Sequence, residues 1–309
     1  MSLSFVGNKD TIENIRLAAK RERLAHAILI EGEEGLGKKT LARFISSALL
    51  CEGEDKPCGK CRACTLVEKD SHTDVSFFSP DGVYYKVAQI RDIREKAYVM
   101  PIEAKRKIFL LEKADLMNKQ SQNALLKIIE EPPSFLTFIL LCENSEALLP
   151  TVLSRCVKFR LSAPNFTEAR DFLVSLGKDK EQSGDALIST GCNIGKALSV
   201  LENTMPAPIL AAKELFSLFE EEKRLDALLL FHKFEKNRED IILLLSSLRS
   251  EIVSKMKENF LSENSFRKTV RYNEAVEKII ECIKKLKQNG NVTLLTTSLC
   301  AEIFAVFDK

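Results

Sequence analysis

The sequence predicts a parallel α/β domain followed by two helical domains, on three observations. Up to about residue 161, short apolar runs alternate with helix-length segments, the signature of a parallel sheet covered on both faces. A glycine-rich turn joins the first apolar run to a helix. Beyond Pro164 the strand signals fade, and apolar residues recur only at helical spacing.

Taken in order, the expected strands are Ala27–Glu31, Asp74–Phe78, Lys107–Leu111, Phe138–Cys142 and a shorter Val157–Arg160. Helical segments fall near 9–19, 38–50, 87–97 and 118–130. Pro132-Pro133 stops the last of these, because proline lacks the N–H a helix interior needs and restricts the residue before it. Residues 166–203 read as three short helices broken at Gly177 and Gly191. From about 207 the chain is helical to its end. Ile241, Leu244, Leu245, Leu248, Ile252 and Met256 mark one apolar stripe. Val276, Ile279, Ile280, Ile283 and Leu286 mark a second, and Asn289-Gly290-Asn291 breaks the last two helices apart.

A chain of 309 residues exceeds one ordinary core. Lys and Arg total 46 against 44 Asp and Glu, so any nucleic-acid contact must come from a local patch. No apolar run is long enough to span a membrane, and the start Met-Ser-Leu-Ser-Phe is unlike a signal peptide. The expected setting is the reducing cytoplasm, where clustered cysteines point to metal before disulfides.

Gly32-Glu33-Glu34-Gly35-Leu36-Gly37-Lys38-Lys39-Thr40 has the form of a phosphate loop. Backbone N–H groups and the helix N-terminus behind it would cradle phosphates, with Lys38 placed to reach them. The position after Lys38 should carry a hydroxyl for Mg²⁺ but holds Lys39, a cation that repels the metal. Thr40 lies one residue too late, a rotation of about 100° on a helix. The strand that should end in a metal-orienting Asp and a water-activating Glu ends instead in Glu112-Lys113. An ammonium is a poor base at neutral pH. Both departures argue against hydrolysis and leave nucleotide occupancy open.

Cys51, Cys58, Cys61 and Cys64 are spaced Cys-x6-Cys-x2-Cys-x2-Cys, with Pro57 and Gly59 for the turn. Four thiolates suit a closed structural zinc site. An iron–sulfur cluster is the rival, without a redox motif beside it. Cys142, Cys156, Cys192, Cys282 and Cys300 are expected in packing roles, and His26, His72 and His232 in structural ones. Arg155, in Ser154-Arg155-Cys156, would by spacing alone be a surface ion-pair residue or an arginine aimed at a neighbour's phosphate.

These motifs, with Phe5-Val6-Gly7-Asn8, Leu24-Ala25-His26-Ala27 and Asn123-Ala124-Leu125-Leu126-Lys127 through Glu130-Glu131-Pro132-Pro133, resemble the clamp-loader AAA+ family, within it the bacterial delta-prime branch of DNA polymerase III. The resemblance covers most of residues 5–160. It implies an AAA+ domain of the P-loop, RecA-like kind at 1–163 with a zinc knuckle at 51–64, a three-helix lid at 164–205 and an all-α collar at 206–309. It implies a subunit of a five-membered clamp loader with delta and gamma or tau, which places a sliding clamp on primer-template DNA within the polymerase, a nucleotidyltransferase complex. Arg155 would then be an arginine finger supplied in trans to the ATP of a gamma or tau neighbour. Asn193-Ile194-Gly195-Lys196-Ala197-Leu198 resembles the segment where relatives carry a second sensor arginine, here Gly195 and Lys196. No autonomous catalysis is expected. The alternative is an active gamma-like ATPase; a zinc-dependent nucleic-acid binder is a more distant rival.

Overall fold

The computed structural model describes residues 5–82, 84–202, 204, 206–259, 266–288 and 290–307. The Met1–Ser4 start and Asn289 of the expected break lie outside the described residues. Tertiary contacts divide the chain into two compact units, Met1–Asn203 and Thr204–Lys309.

The first unit holds a five-stranded parallel sheet of β1 (Ala27–Glu31), β2 (Val75–Phe78), β3 (Lys107–Leu111), β4 (Leu136–Cys142) and β5 (Val157–Arg160), in the order β2-β3-β4-β1-β5. The register sets Leu29 beside Leu140 and Leu110 beside Ile139, so β1, β3 and β4 are buried on both faces. Successive side chains point to opposite faces. Ala27, Leu29, Phe109, Phe138 and Leu140 therefore share one core with α4 (Val87–Ala97) and α5 (Lys119–Glu130). Ile28, Ile30, Ile108, Leu110 and Ile139 share the other with α1 (Lys9–Lys20) and α2 (Lys38–Leu50). On the first face Phe78, Phe109 and Phe138 stack edge to face at 5.0 and 5.8 Å, a geometry aromatic rings favour.

Four elements depart from expectation. The cysteine segment runs into a helix, α3 (Arg62–Glu68), because the Cys61 sulfur accepts the Cys64 N–H and caps it. The segment before Arg155 forms a helical turn, α6 (Pro150–Leu153), with proline at its first position, where no N–H is needed. Strand β4 starts at Leu136 rather than Phe138, and β2 at Val75 rather than Asp74. Asp74 is buried, and its carboxylate accepts the N–H groups of Ile102, Glu103 and Ala104 at 2.6–2.8 Å. Burial alone would raise its pKa; those three bonds hold it down.

Within the same unit α7 (Phe166–Ser175), α8 (Lys180–Ser189) and α9 (Ile194–Leu201) enclose a small core of Ala169, Leu173, Ala186, Leu187 and Ala197. The second unit comprises α10 (Ala207–Glu220), α11 (Arg224–Phe234), α12 (Arg238–Asn259), α13 (Phe266–Lys287) and α14 (Val292–Phe307). Leu215, Phe219, Phe231, Leu244, Leu248, Ile279 and Phe304 form its core. Ile280, expected inside, is exposed, because the stripe on α13 is narrower than its run of apolar residues. Among the described residues no helix is long and apolar enough to cross a membrane.

Candidate functional site

The glycine-rich turn leaves the carboxyl end of β1, flanked by β4 and β5, where ligands bind open parallel sheets. Gly32 N–H donates to the Cys142 carbonyl at 3.2 Å, which seats the turn on the sheet. Lys38 opens α2 and donates back to the Gly32 carbonyl at 2.6 Å. Its amine closes the loop on itself. Burial lowers the Lys38 pKa, while Glu143, Glu34 and Asp115 nearby oppose that shift. Glu143, at the end of β4, is in turn pushed upward by burial. Glu34, Glu143 and Asp115 thus all act on the Lys38 amine. Sequence reasoning missed Glu143 and Asp115, which come from two other strand ends.

The two departures from an ATPase pattern meet in space. Lys39 Nζ lies 2.8 Å from Glu112 Oε1, and also over the Phe77 ring at 5.1 Å. The contact is an ion pair between two partly exposed side chains. The second residue of α2 and the residue that follows β3 thus place an ammonium against a carboxylate beside the loop. Thr40 belongs to α2 one position further on. Buried Tyr85 fastens the strand end beneath, its hydroxyl within 2.8 and 2.7 Å of the Phe78 and Glu112 carbonyls.

The start of α9 docks on the loop. Gly195 N–H donates to the Gly35 carbonyl at 3.0 Å, and buried Asn193 donates to the Glu34 carbonyl at 2.8 Å. Lys196 reaches Glu33 at 3.2 Å. Gly35 has a φ of 90°, the left-handed region that glycine tolerates, and a Cβ on Gly195 would sit 2.5 Å from its Cα. Where the resemblance implied a lost sensor, the segment instead contacts the loop directly. Asn193 was not legible as part of the site.

At the root of the loop Glu31 links three elements. Its carboxylate accepts the Ser145 N–H and hydroxyl at 3.0 and 2.8 Å, and Lys158 of β5 sits 2.8 Å away. Burial alone would raise its pKa, but Lys158 and the two Ser145 bonds outweigh it and hold the carboxyl down at about 2.

The sulfurs of Cys51, Cys58, Cys61 and Cys64 all lie within 4.8 Å of one another. Zinc–thiolate bonds of about 2.3 Å in a tetrahedron require sulfurs about 3.8 Å apart, so the set can close around one ion by a small contraction. The N–H groups of Gly53 and Cys58 point at the Cys51 sulfur, that of Cys61 at Cys58 and that of Cys64 at Cys61, at 3.3–3.5 Å. Such donors favour thiolates. The N–H groups of Lys60 and Cys61 push the half-buried Cys58 thiol down to about 6, whereas burial pushes Cys51 and Cys64 up. The cluster could hold a metal ion. Of the cysteines expected in packing roles, Cys142, Cys282 and Cys300 are buried, but Cys156 and Cys192 are only half-buried. His72 is buried and accepts the Asp74 N–H; His232 stands 3.2 Å from Glu235.

Arg155 follows α6 and is not aimed freely outward. Its guanidinium lies 2.7 Å from Glu130 at the end of α5 and donates to the Thr151 carbonyl at 2.9 Å.

Known proteins resemble this chain over much of its length. The DNA polymerase III delta' subunit of Haemophilus influenzae is 33% identical over 196 residues, 63% of this chain and 59% of that protein. The delta' subunit of Bacillus subtilis is 36% identical over 138 residues, 44% of this chain and 42% of that one. A gamma subunit of Buchnera aphidicola (strain Sg) is 32% identical over 210 residues, 65% and 57% respectively. The matched region thus spans about half the length of these relatives. A DNA polymerase III gamma subunit-related protein from Thermotoga maritima has a TM-score of 0.54 at 18% identity, covering 96% of this chain and 99% of that one, a likeness of fold. The family model described as DNA polymerase III, delta subunit matches residues 7–165, just over half of the sequence. The chain belongs to the DNA polymerase III delta-subunit family.

Proposed function

We propose that this chain is a delta-prime-like subunit of a DNA polymerase III clamp loader that acts on ATP bound by a neighbour and does not hydrolyse ATP itself. The Lys39–Glu112 ion pair is the observation that carries this reading. A divalent cation between the β- and γ-phosphates needs anionic and hydroxyl ligands, and an ammonium at its place opposes it. Lys113, beside Glu112, offers no base to activate water. The hydrogen bonds from Gly195 and Asn193 to the loop support a subunit whose loop is held by its own chain.

Arg155 then serves in trans. In an assembled ring with delta and gamma or tau, its guanidinium would meet the phosphate of an adjacent subunit's ATP and offset charge that develops there. Fingers of this kind contribute on the order of 10³–10⁵ to rate in well-studied systems. The ring, and not the isolated chain, would hold the sliding clamp and primed DNA; a net charge of +2 gives the chain alone little hold on phosphates. The cysteine cluster would take zinc as a structural ion, closing the loop between α2 and α3 and leaving no open position for catalysis.

The similarity to gamma subunits favours a second reading, an active gamma-like ATPase. One set of assays separates the two. The chain alone is expected to be silent for ATP hydrolysis. Added to delta, gamma, clamp and primed DNA, it should stimulate turnover strongly, and Arg155→Ala should remove most of that stimulation while assembly persists. Turnover by the isolated chain would establish the gamma-like reading, and unchanged stimulation by R155A would end the finger reading.

A further inference from the structure

Arg155 is already occupied. Nη2 lies 2.7 Å from Glu130 Oε1, while Nη1 donates to the Thr151 carbonyl at 2.9 Å and to the Ser154 hydroxyl at 3.3 Å. Nη1 is used by Thr151 and Ser154 and Nη2 faces Glu130, so a phosphate that pairs with Nη2 meets a carboxylate already beside it. The backbone carbonyl of Thr151 belongs to the helical turn that carries Arg155 and moves with it. Glu130 does not; it belongs to α5, 25 residues earlier.

The position of Glu130 gives the contact its meaning. It is the last residue of α5, where the helix dipole presents its negative end. A carboxylate there is unfavourable for the helix, and Glu131 follows it immediately. Lys127, in the same last turn, is the residue type that such a terminus favours. What Glu130 gains in return is Arg155. The two side chains are 43% and 38% exposed, so the pair sits at the surface in high dielectric. Such pairs are weak and readily exchanged.

We propose that Glu130 is a positioning residue for Arg155, its resting partner: the carboxylate holds the guanidinium at the surface until a neighbour's phosphate displaces it. This rests on the finger reading given above. A weak tether suits the task. It restricts a long side chain that would otherwise sample many rotamers, yet yields to a phosphate group carrying more charge and more acceptor oxygens. The neighbour's nucleotide competes with Glu130 for one guanidinium, so Glu130 sets how readily that nucleotide is gripped and not how fast the gripped state reacts.

The test uses the assembled complex with primed DNA and clamp, measuring kcat and KM for ATP. Glu130→Gln keeps the shape and removes the charge. It should lower KM up to about fivefold with kcat unchanged, the range expected for losing a half-exposed ion pair as competitor. Glu130→Asp keeps the charge and should lie closer to wild type. In an R155A background, E130Q should change nothing, which excludes a general effect of the lost charge on the neighbour's site. If R155A abolishes stimulation but E130Q leaves KM unaltered, or lowers kcat as R155A does, the resting-partner proposal is wrong and the finger survives. If R155A itself has no effect, the underlying reading has failed.

Discussion

Glu31 shows how a single side chain can hold together the end of a strand from which a functional loop springs. It is nearly buried, yet ionised, because Ser145 and Lys158 supply the bonds that water would have given. Its folded pKa of about 2 lies below the ordinary 4.5, so it stabilises the fold fully above about pH 4.5. That contribution is lost as the pH falls towards 2. Glu31→Gln should therefore lower stability at pH 7 by about 1–3 kcal/mol, discounted for the partial exposure of Lys158. It should also flatten the dependence of the urea midpoint on pH between 5 and 3. A variant whose acid dependence matched wild type would show that other carboxylates govern acid unfolding. None of this was legible in sequence, where Glu31 is only the polar end of an apolar run. Lys39 and Glu112 were each visible as departures from a pattern, but not as partners, because 73 positions separate them. Glu130 and Arg155 were likewise read in separate motifs.

At the scale of elements, the strands were legible because parallel strands covered on both faces must be apolar throughout. β1 and β3 begin and end where those runs do, while edge strand β5 keeps its expected bounds although it is largely exposed. The errors lie where another requirement intrudes. Asp74 looks like the start of a strand, but its carboxylate is committed to three N–H groups of the segment before β3. Leu136 and Thr137 sit too close to Pro132-Pro133 to look like strand, although the ladder already begins there. The docking of α9 on the loop was hidden for a different reason: it depends on the absence of side chains at Gly35 and Gly195. It is also open to a test of sign. Alanine at an exposed helical glycine ordinarily stabilises by roughly 0.5–1 kcal/mol. Gly195→Ala should do the opposite, because the new Cβ would crowd Gly35, and should speed amide exchange at residues 33–37. Increased thermal stability with unchanged exchange would mean that the contact is incidental.

For the whole molecule, the separate cores of Met1–Asn203 and Thr204–Lys309 predict two unfolding transitions. The cysteine cluster lies only in the first unit, and a metal bound there stabilises only the unit that holds it. Calorimetry of the zinc-loaded chain should show two steps, and a chelator should lower the midpoint of one by several degrees while leaving the other in place. One cooperative transition that moved as a whole would indicate that the units fold as a single body. The family match ends at residue 165, inside the first unit, and the C-terminal helices were legible only as helices.

The Lys39–Glu112 contact also bears on how such a chain can change over generations. A threonine at 39 alone would leave Glu112 without its cation. An aspartate at 112 alone would shorten the carboxylate away from Lys39 and still find an ammonium where a metal should be. On the function proposed above, a metal could be gained at this place only if both positions changed together, and the ion pair would act as a ratchet against either change alone.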